Sequence, residues 1–144
     1  MEDNALLRVI AKLLIPLILL FALYVQFHGE YGPGGGFQAG VIFAAGIVLY
    51  ALVFGLRAAR AAVPVAVVRV CLALGVLLYV GTGVACMLAG GNFLDYDVLA
   101  HHAKHGQHIG IILIELGVGL TVFGAVTGIF YVFAGYGHAR AVRG

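Results

Sequence analysis

Apolar residues fall along this chain in four long, almost uncharged runs, separated by short stretches where glycine, histidine and charged residues collect. Each run is long enough for a hydrocarbon core of about 30 Å. Segments that cross lipid must be helical, because their backbone N–H and C=O groups find partners only within the segment. Helices are therefore predicted over 6–27, 36–56, 65–89 and 108–133. The expected fold is an all-α integral membrane protein with four transmembrane helices, one membrane module over 1–144 and no soluble domain. Pro16 lies inside the first helix and removes the bond to the carbonyl of Lys12, which predicts a kink or a fray. Pro64 falls at the first turn of the third helix, where a missing N–H costs little.

Composition agrees with the pattern. The 144 residues are 63% hydrophobic and only 10% charged, with a mean hydropathy of +1.10, too few polar groups to cover a soluble domain. The net charge of +2 is spread over short loops, so no nucleic-acid partner is expected. The opening "MEDNALLRVIAKLL" starts acidic, and its apolar run reaches Phe27 without a small-residue cleavage site, so it reads as a retained helix. Arg8 and Lys12 in its first turns can snorkel to the interface. Cys71 and Cys86 fall in one helix about 22 Å apart, too far to bond to each other.

Basic residues set the expected orientation. Arg8, Lys12, Arg57, Arg60, Arg69, Arg140 and Arg143 fall on one side of the membrane, and Lys104 alone on the other. By the positive-inside rule both termini are cytoplasmic. The glycine-rich loop "HGEYGPGGGFQAG" (28–40) and the loop "GGNFLDYDVLAHHAKHGQ" (90–107) then face outward. The second loop is expected to carry a short interfacial helix, capped by Asp97 and ended by Gly106.

Glu115 is the strongest candidate for chemistry, being the one acidic residue in a predicted span, about 10 Å below the outer boundary. An ionisable group at that depth is expensive and marks a functional position by default. His108 shares its helix face at i, i+7, too distant for direct contact but within reach of a relayed path. Gln38, one turn into the second helix, needs a polar partner. His101, His102, His105 and His108 cluster in "HHAKHGQH", and His101 and His105 have the spacing of a helical metal pair. No cysteine or H-E-x-x-H pattern accompanies them, so no metal is expected, and no cofactor. Gly36, Gly40 and Ala44, and again Gly124 and Gly128, form stripes of small residues that let helices approach closely. The free N–H groups at the glycine-rich helix start could also hold an anion or water. No lysine lies deep in a span, and no pair of broken helices appears in matching halves. The chain thus reads as one part of a transport machine.

Two stretches carry a family resemblance: "HGEYGPGGGFQAGVIFAAGIVLYALVFG" (28–55) and "IELGVGLTVFGAV" (114–126). They resemble the MnhB (MrpB) family, whose members are small membrane components of multi-subunit Mrp-type sodium/proton antiporters. The resemblance implies an accessory subunit in the plasma membrane of a prokaryote. Its complex exchanges sodium, in some cases potassium, for external protons, driven by the proton-motive force. It implies other antiporter subunits, Na+, H+ and membrane lipid as partners, and no enzymatic activity. The motif positions that carry over are Pro33, Gly34, Gly35, Gly36, Phe37 and Gln38, with Glu115. Gly40 continues the packing stripe, and Pro33 and Phe37 are expected to fix the start of the second helix against a neighbouring subunit. Two other readings stay open: a purely structural assembly role, and the equivalent component of a redox-driven complex such as a membrane-bound hydrogenase.

Overall fold

In the computed structural model, residues 4–29, 34–99 and 103–141 are described, with the side chains of 103–105 and 137–141 outside that description. Asn4 opens the first helix, α1 (Ala5–His28), where its Oδ1 accepts from the Leu7 N–H at 3.3 Å, satisfying one of the donors every helix start leaves over. The helix continues through Pro16 as one element, so no fray separates its first turns. Helix α2 (Gly36–Phe54) ends where Gly55 adopts φ 95°, a backbone that disfavours any side chain. The chain then turns into a short helix, α3 (Leu56–Ala62). Reading the apolar run to residue 56 as one helix missed that break. Pro64 is the N-cap of α4 (Val65–Leu88), one residue outside its first turn.

The last helix, α5 (Ala103–Ala141), outruns its expected limits of 108–133 at both ends. Gly106, expected to end a short loop helix, lies inside α5 instead. Among the described residues of the loop before α5, a 3-10 turn forms at Tyr96–Leu99, and Asp97 sits within it rather than capping it. The Asp97 carboxylate is used differently: it accepts from Gln107 Nε2 at 2.8 Å, tying the turn to α5. Cys71 and Cys86 lie on α4 and are free thiols.

Four helices among the described residues are long and apolar enough to cross a membrane. Across the bundle they stand in the order α1, α2, α5, α4. The last helix in sequence is thus central, packed on α2 by one face and on α4 by another. Small residues make both contacts possible. On the α2 side, a methyl group added at Gly40 would lie 2.6 Å from the Gly119 carbonyl oxygen, and Ala44 is wholly buried beside Phe123. On the α4 side, Gly75 and Gly117 face each other so closely that a Cβ on Gly117 would sit 2.9 Å from the Gly75 oxygen. Gly124 faces Val68 in the same way, at 2.9 Å from its carbonyl. Where no hydrophobic drive separates lipid from helix surface, such close packing holds helices together. A cluster of Ala44, Ile47, Ala51, Ala59, Val68, Phe123 and Tyr131 forms the core, with Phe43 edge-on to Phe123 at 5.3 Å. Outward faces remain apolar: Leu13, Leu17, Leu20 and Phe27 on α1 are all exposed, as a lipid- or partner-facing surface requires.

Among the described residues, Arg8, Arg60 and Arg69 gather at one end. Arg8 at the start of α1 lies over the Phe54 ring at the end of α2, 5.5 Å from its centroid. Arg60 of α3 reaches Tyr131 near the end of α5, and Arg69 lines a groove with Tyr136. Gly29, Gly34, Gly35 and Gly36 stand at the other end with the 3-10 turn.

Candidate functional site

Three helices converge on Glu115. Its side chain projects from α5, half-buried, into the gap between the end of α1 and the start of α2. Glycine creates that gap. A methyl group on Gly29 would lie 2.6 Å from Glu115 Oε1, and one on Gly35 would lie 3.1 Å from the same oxygen. A methyl group on Gly36 would collide with the Glu115 main-chain carbonyl itself. Gly35 is held open by its own backbone, at φ 122°, and its N–H donates to the Val25 carbonyl at 3.2 Å. That bond folds the glycine run back over the last turn of α1, bringing α2's start to the carboxylate.

The electrostatics suit an acid. Gly35 caps α2 without any side-chain hydrogen bond. The Ala39 N–H is the first to find a carbonyl one turn back, that of Gly35 at 3.0 Å, so the N–H groups of 36–38 have no acceptor within the helix. A helix start carries partial positive charge and attracts a carboxylate placed beside it.

Two amides accompany Glu115. Gln38, an exposed residue, has its Oε1 3.7 Å from where a Gly35 Cβ would stand, on the same side of Gly35 as the carboxylate. Gln26 of α1 is 8% exposed, and its Oε1 lies 2.6 Å from the Cβ position of Gly119, one turn along α5 from Glu115. Gln26, Gly29 and Gly119 were not singled out from the sequence. The signal existed for Gln26, an uncharged polar group one residue before the end of an apolar run. Gly119 lies inside the quoted "IELGVGL" but outside any four-residue stripe.

The other sequence candidates separate. Gly34 packs near the Val25 carbonyl, 3.0 Å from its Cβ position. Gly36 and Gly40 face α5 of this same chain. Phe37 points away from the bundle, 60% exposed. His108 is exposed two turns up α5. Pro33, His101 and His102 lie outside the described residues, as does the side chain of His105. Among the described residues, no three His, Cys, Asp or Glu side chains gather as metal ligands would.

Two interior threonines are closed off locally. Thr82 donates to the Leu78 carbonyl at 2.7 Å and Thr121 to the Gly117 carbonyl at 2.9 Å, the usual back-bond within a helix. Thr127, fully buried, has an Oγ1 without a hydrogen-bond partner among the described residues.

A second polar assembly lies at the arginine end. The Tyr131 hydroxyl stands 3.0 Å from both the Ala59 and Val63 carbonyls, which share its one proton. Arg60 Nη2 donates back to the Tyr131 carbonyl at 2.9 Å, with the guanidinium 5.6 Å from the ring centroid. These bonds clamp α3 and its C-cap residue Val63 to α5. From the sequence, Arg60 was only a charge that set orientation.

Comparison with known proteins adds a family. Residues 6–128 match the family described as a domain related to the MnhB subunit of Na+/H+ antiporter. A Staphylococcus haemolyticus protein named "Putative antiporter subunit mnhB2" is 30% identical over 137 residues, covering 93% of this chain and 96% of that protein. A Staphylococcus aureus protein of the same name is 31% identical over the same shares.

Proposed function

This chain belongs to the family of domains related to the MnhB subunit of Na+/H+ antiporters, and from that membership we propose that it is a multi-pass component of an Mrp-type antiporter complex in the plasma membrane. The four apolar helices support the location, and relatives of matching length named as antiporter subunits support the role. Its own residues suit a secondary transporter component rather than an enzyme. In the finer reading, the complex exchanges Na+ or K+ for external protons down the proton-motive force. The gathering of Arg8, Arg60 and Arg69 at one end supports cytoplasmic termini, with the glycine-rich end outward.

The observation that carries a direct part in ion passage is the placement of Glu115. Its carboxylate lies where α1, α2 and α5 meet, beside the start of α2 and on the same side of Gly35 as the Gln38 amide, with Gln26 packed one turn further along α5. A half-buried acid with amide neighbours can hold a cation or a proton and release it to water. Glu115→Gln and Glu115→Ala should leave complex yield intact while removing most of the Na+-dependent proton exchange in everted vesicles. Normal exchange rate and cation affinity in both variants would overturn the direct role.

The exposed Phe37 at the same end favours a second reading, assembly. An aromatic ring of this size, turned outward beside the helix start, suits a pocket on a neighbouring subunit. Under that reading Phe37→Ala lowers the yield of intact complex, and Glu115→Gln lowers it too.

A further inference from the structure

Between α4 and α5, at the arginine end, runs a groove of ≈ 880 Å³ that the function above leaves unused. Two of its lining side chains are Arg60 and Arg69; nearly all the rest are apolar, and no acidic side chain lines it among the described residues. The described acids, Asp95, Asp97 and Glu115, all belong to the opposite end. We propose that this groove is a binding site for one anionic phospholipid, its phosphodiester held between Arg60 and Arg69 and its upper acyl chain laid along α4 and α5.

The charge pattern and the shape point to the same ligand. The groove begins at Val65, the first residue of α4, and reaches Leu72 and Gly124. Seven residues of helix are about 10 Å, so one end is level with headgroups and the other lies within the hydrocarbon. Small residues make the room: a methyl group on Gly128 would touch only Val68 Cγ1, at 3.5 Å. Ile129 and Val132 stay more than half exposed along its wall. At the mouth stands Tyr136, also exposed, where an amphipathic ring sits best. Arg60 is preset by its bond to the Tyr131 carbonyl, which limits the ordering cost of receiving a phosphate. A guanidinium matches phosphodiester oxygens in geometry as well as charge, and basic pockets between helix ends commonly take anionic headgroups.

The test is photo-crosslinking of the purified native complex with phosphatidylglycerol bearing a diazirine in its acyl chain, with adducts mapped by mass spectrometry. Adducts should fall on α4 and α5 around Leu72 and Ala125. Arg69→Gln should cut them about fivefold, the loss of roughly one basic contact near a bilayer surface. Arg57→Gln, a base outside the groove, should leave them unchanged. Gly128→Leu, which fills the groove without touching either arginine, should abolish them, and wild-type thermal stability in that variant would establish that it folds. Equal labelling by phosphatidylcholine, indifference to Arg69→Gln, or crosslinks from the groove to another protein chain in place of lipid would each overturn the proposal.

Discussion

The two ends of this bundle are joined by opposite means. At the glycine end, helices meet because side chains are missing: Gly36 lies against the Glu115 backbone and Gly40 against that of Gly119. The acid there, Glu115, occupies space that glycines vacate. At the arginine end, side chains make the joint: Arg60 bonds the Tyr131 carbonyl, and the Tyr131 hydroxyl shares its proton between the Ala59 and Val63 carbonyls. Backbone-to-backbone packing fixes geometry but cannot yield to an added atom. A side-chain clamp can lose one bond and persist. The glycine end should therefore tolerate substitution far less than the clamp does.

Gly36→Ala should do the most damage. Its new Cβ meets a carbonyl of α5 that cannot move aside without shifting the whole helix, and overpacking of this kind costs about 1–3 kcal/mol. Complex yield and thermal unfolding in detergent should both fall. Gly81→Ala is the counter-case on α4, with nothing within 4 Å of its Cβ position; the same measurements should show no loss, and a gain of up to about 1 kcal/mol from helix propensity. Equal effects of the two changes would break the contrast.

Tyr131→Phe should cost less, about 1–2 kcal/mol for carbonyls left to lose a donor, read as a lowered melting temperature with exchange retained. Arg60→Gln in the same background should add little, since both act on one clamp.

The smallest effect belongs to the 3-10 turn near the glycine end. Burial pushes the Tyr96 phenol above its ordinary 10.0, and the neighbouring Tyr79 and Cys86 push it further. Folding thus favours the neutral phenol. The stabilisation is complete below the unfolded value and is lost as pH rises through the raised folded one. Tyr96→Phe should flatten the decline in thermal stability above about pH 10; an identical decline in both proteins would remove Tyr96 as its cause.

Much of this was legible in the chain because lipid imposes a simple rule. Long apolar runs must be helices, and their lengths placed α1, α2 and α4 within two residues at each end. Errors arose where a local backbone feature overrode the apolar pattern. Gly55 at φ 95° split the second run, and α5 ran on past its apolar stretch at both ends, with Gln107 near its start tied to Asp97. Glu115 was legible as a misfit in its surroundings. Its companions were less so, since an amide such as Gln26 is an ordinary polar residue until a helix from elsewhere in the chain places Gly119 beside it.

The sequence by itself determined the class of protein: four membrane helices, bases collected toward one side, an acid in the last span and small residues spaced to admit neighbours. Only the tertiary structure decided which neighbours. It set α5 between α2 and α4, so the glycine stripe of α2 receives a helix of its own chain, and the run at 34–36 wraps over α1 to meet Glu115. Hydropathy is a property of each segment and can be read locally. Which backbones touch depends on the absence of side chains on both partners at once, and that coincidence exists only in three dimensions.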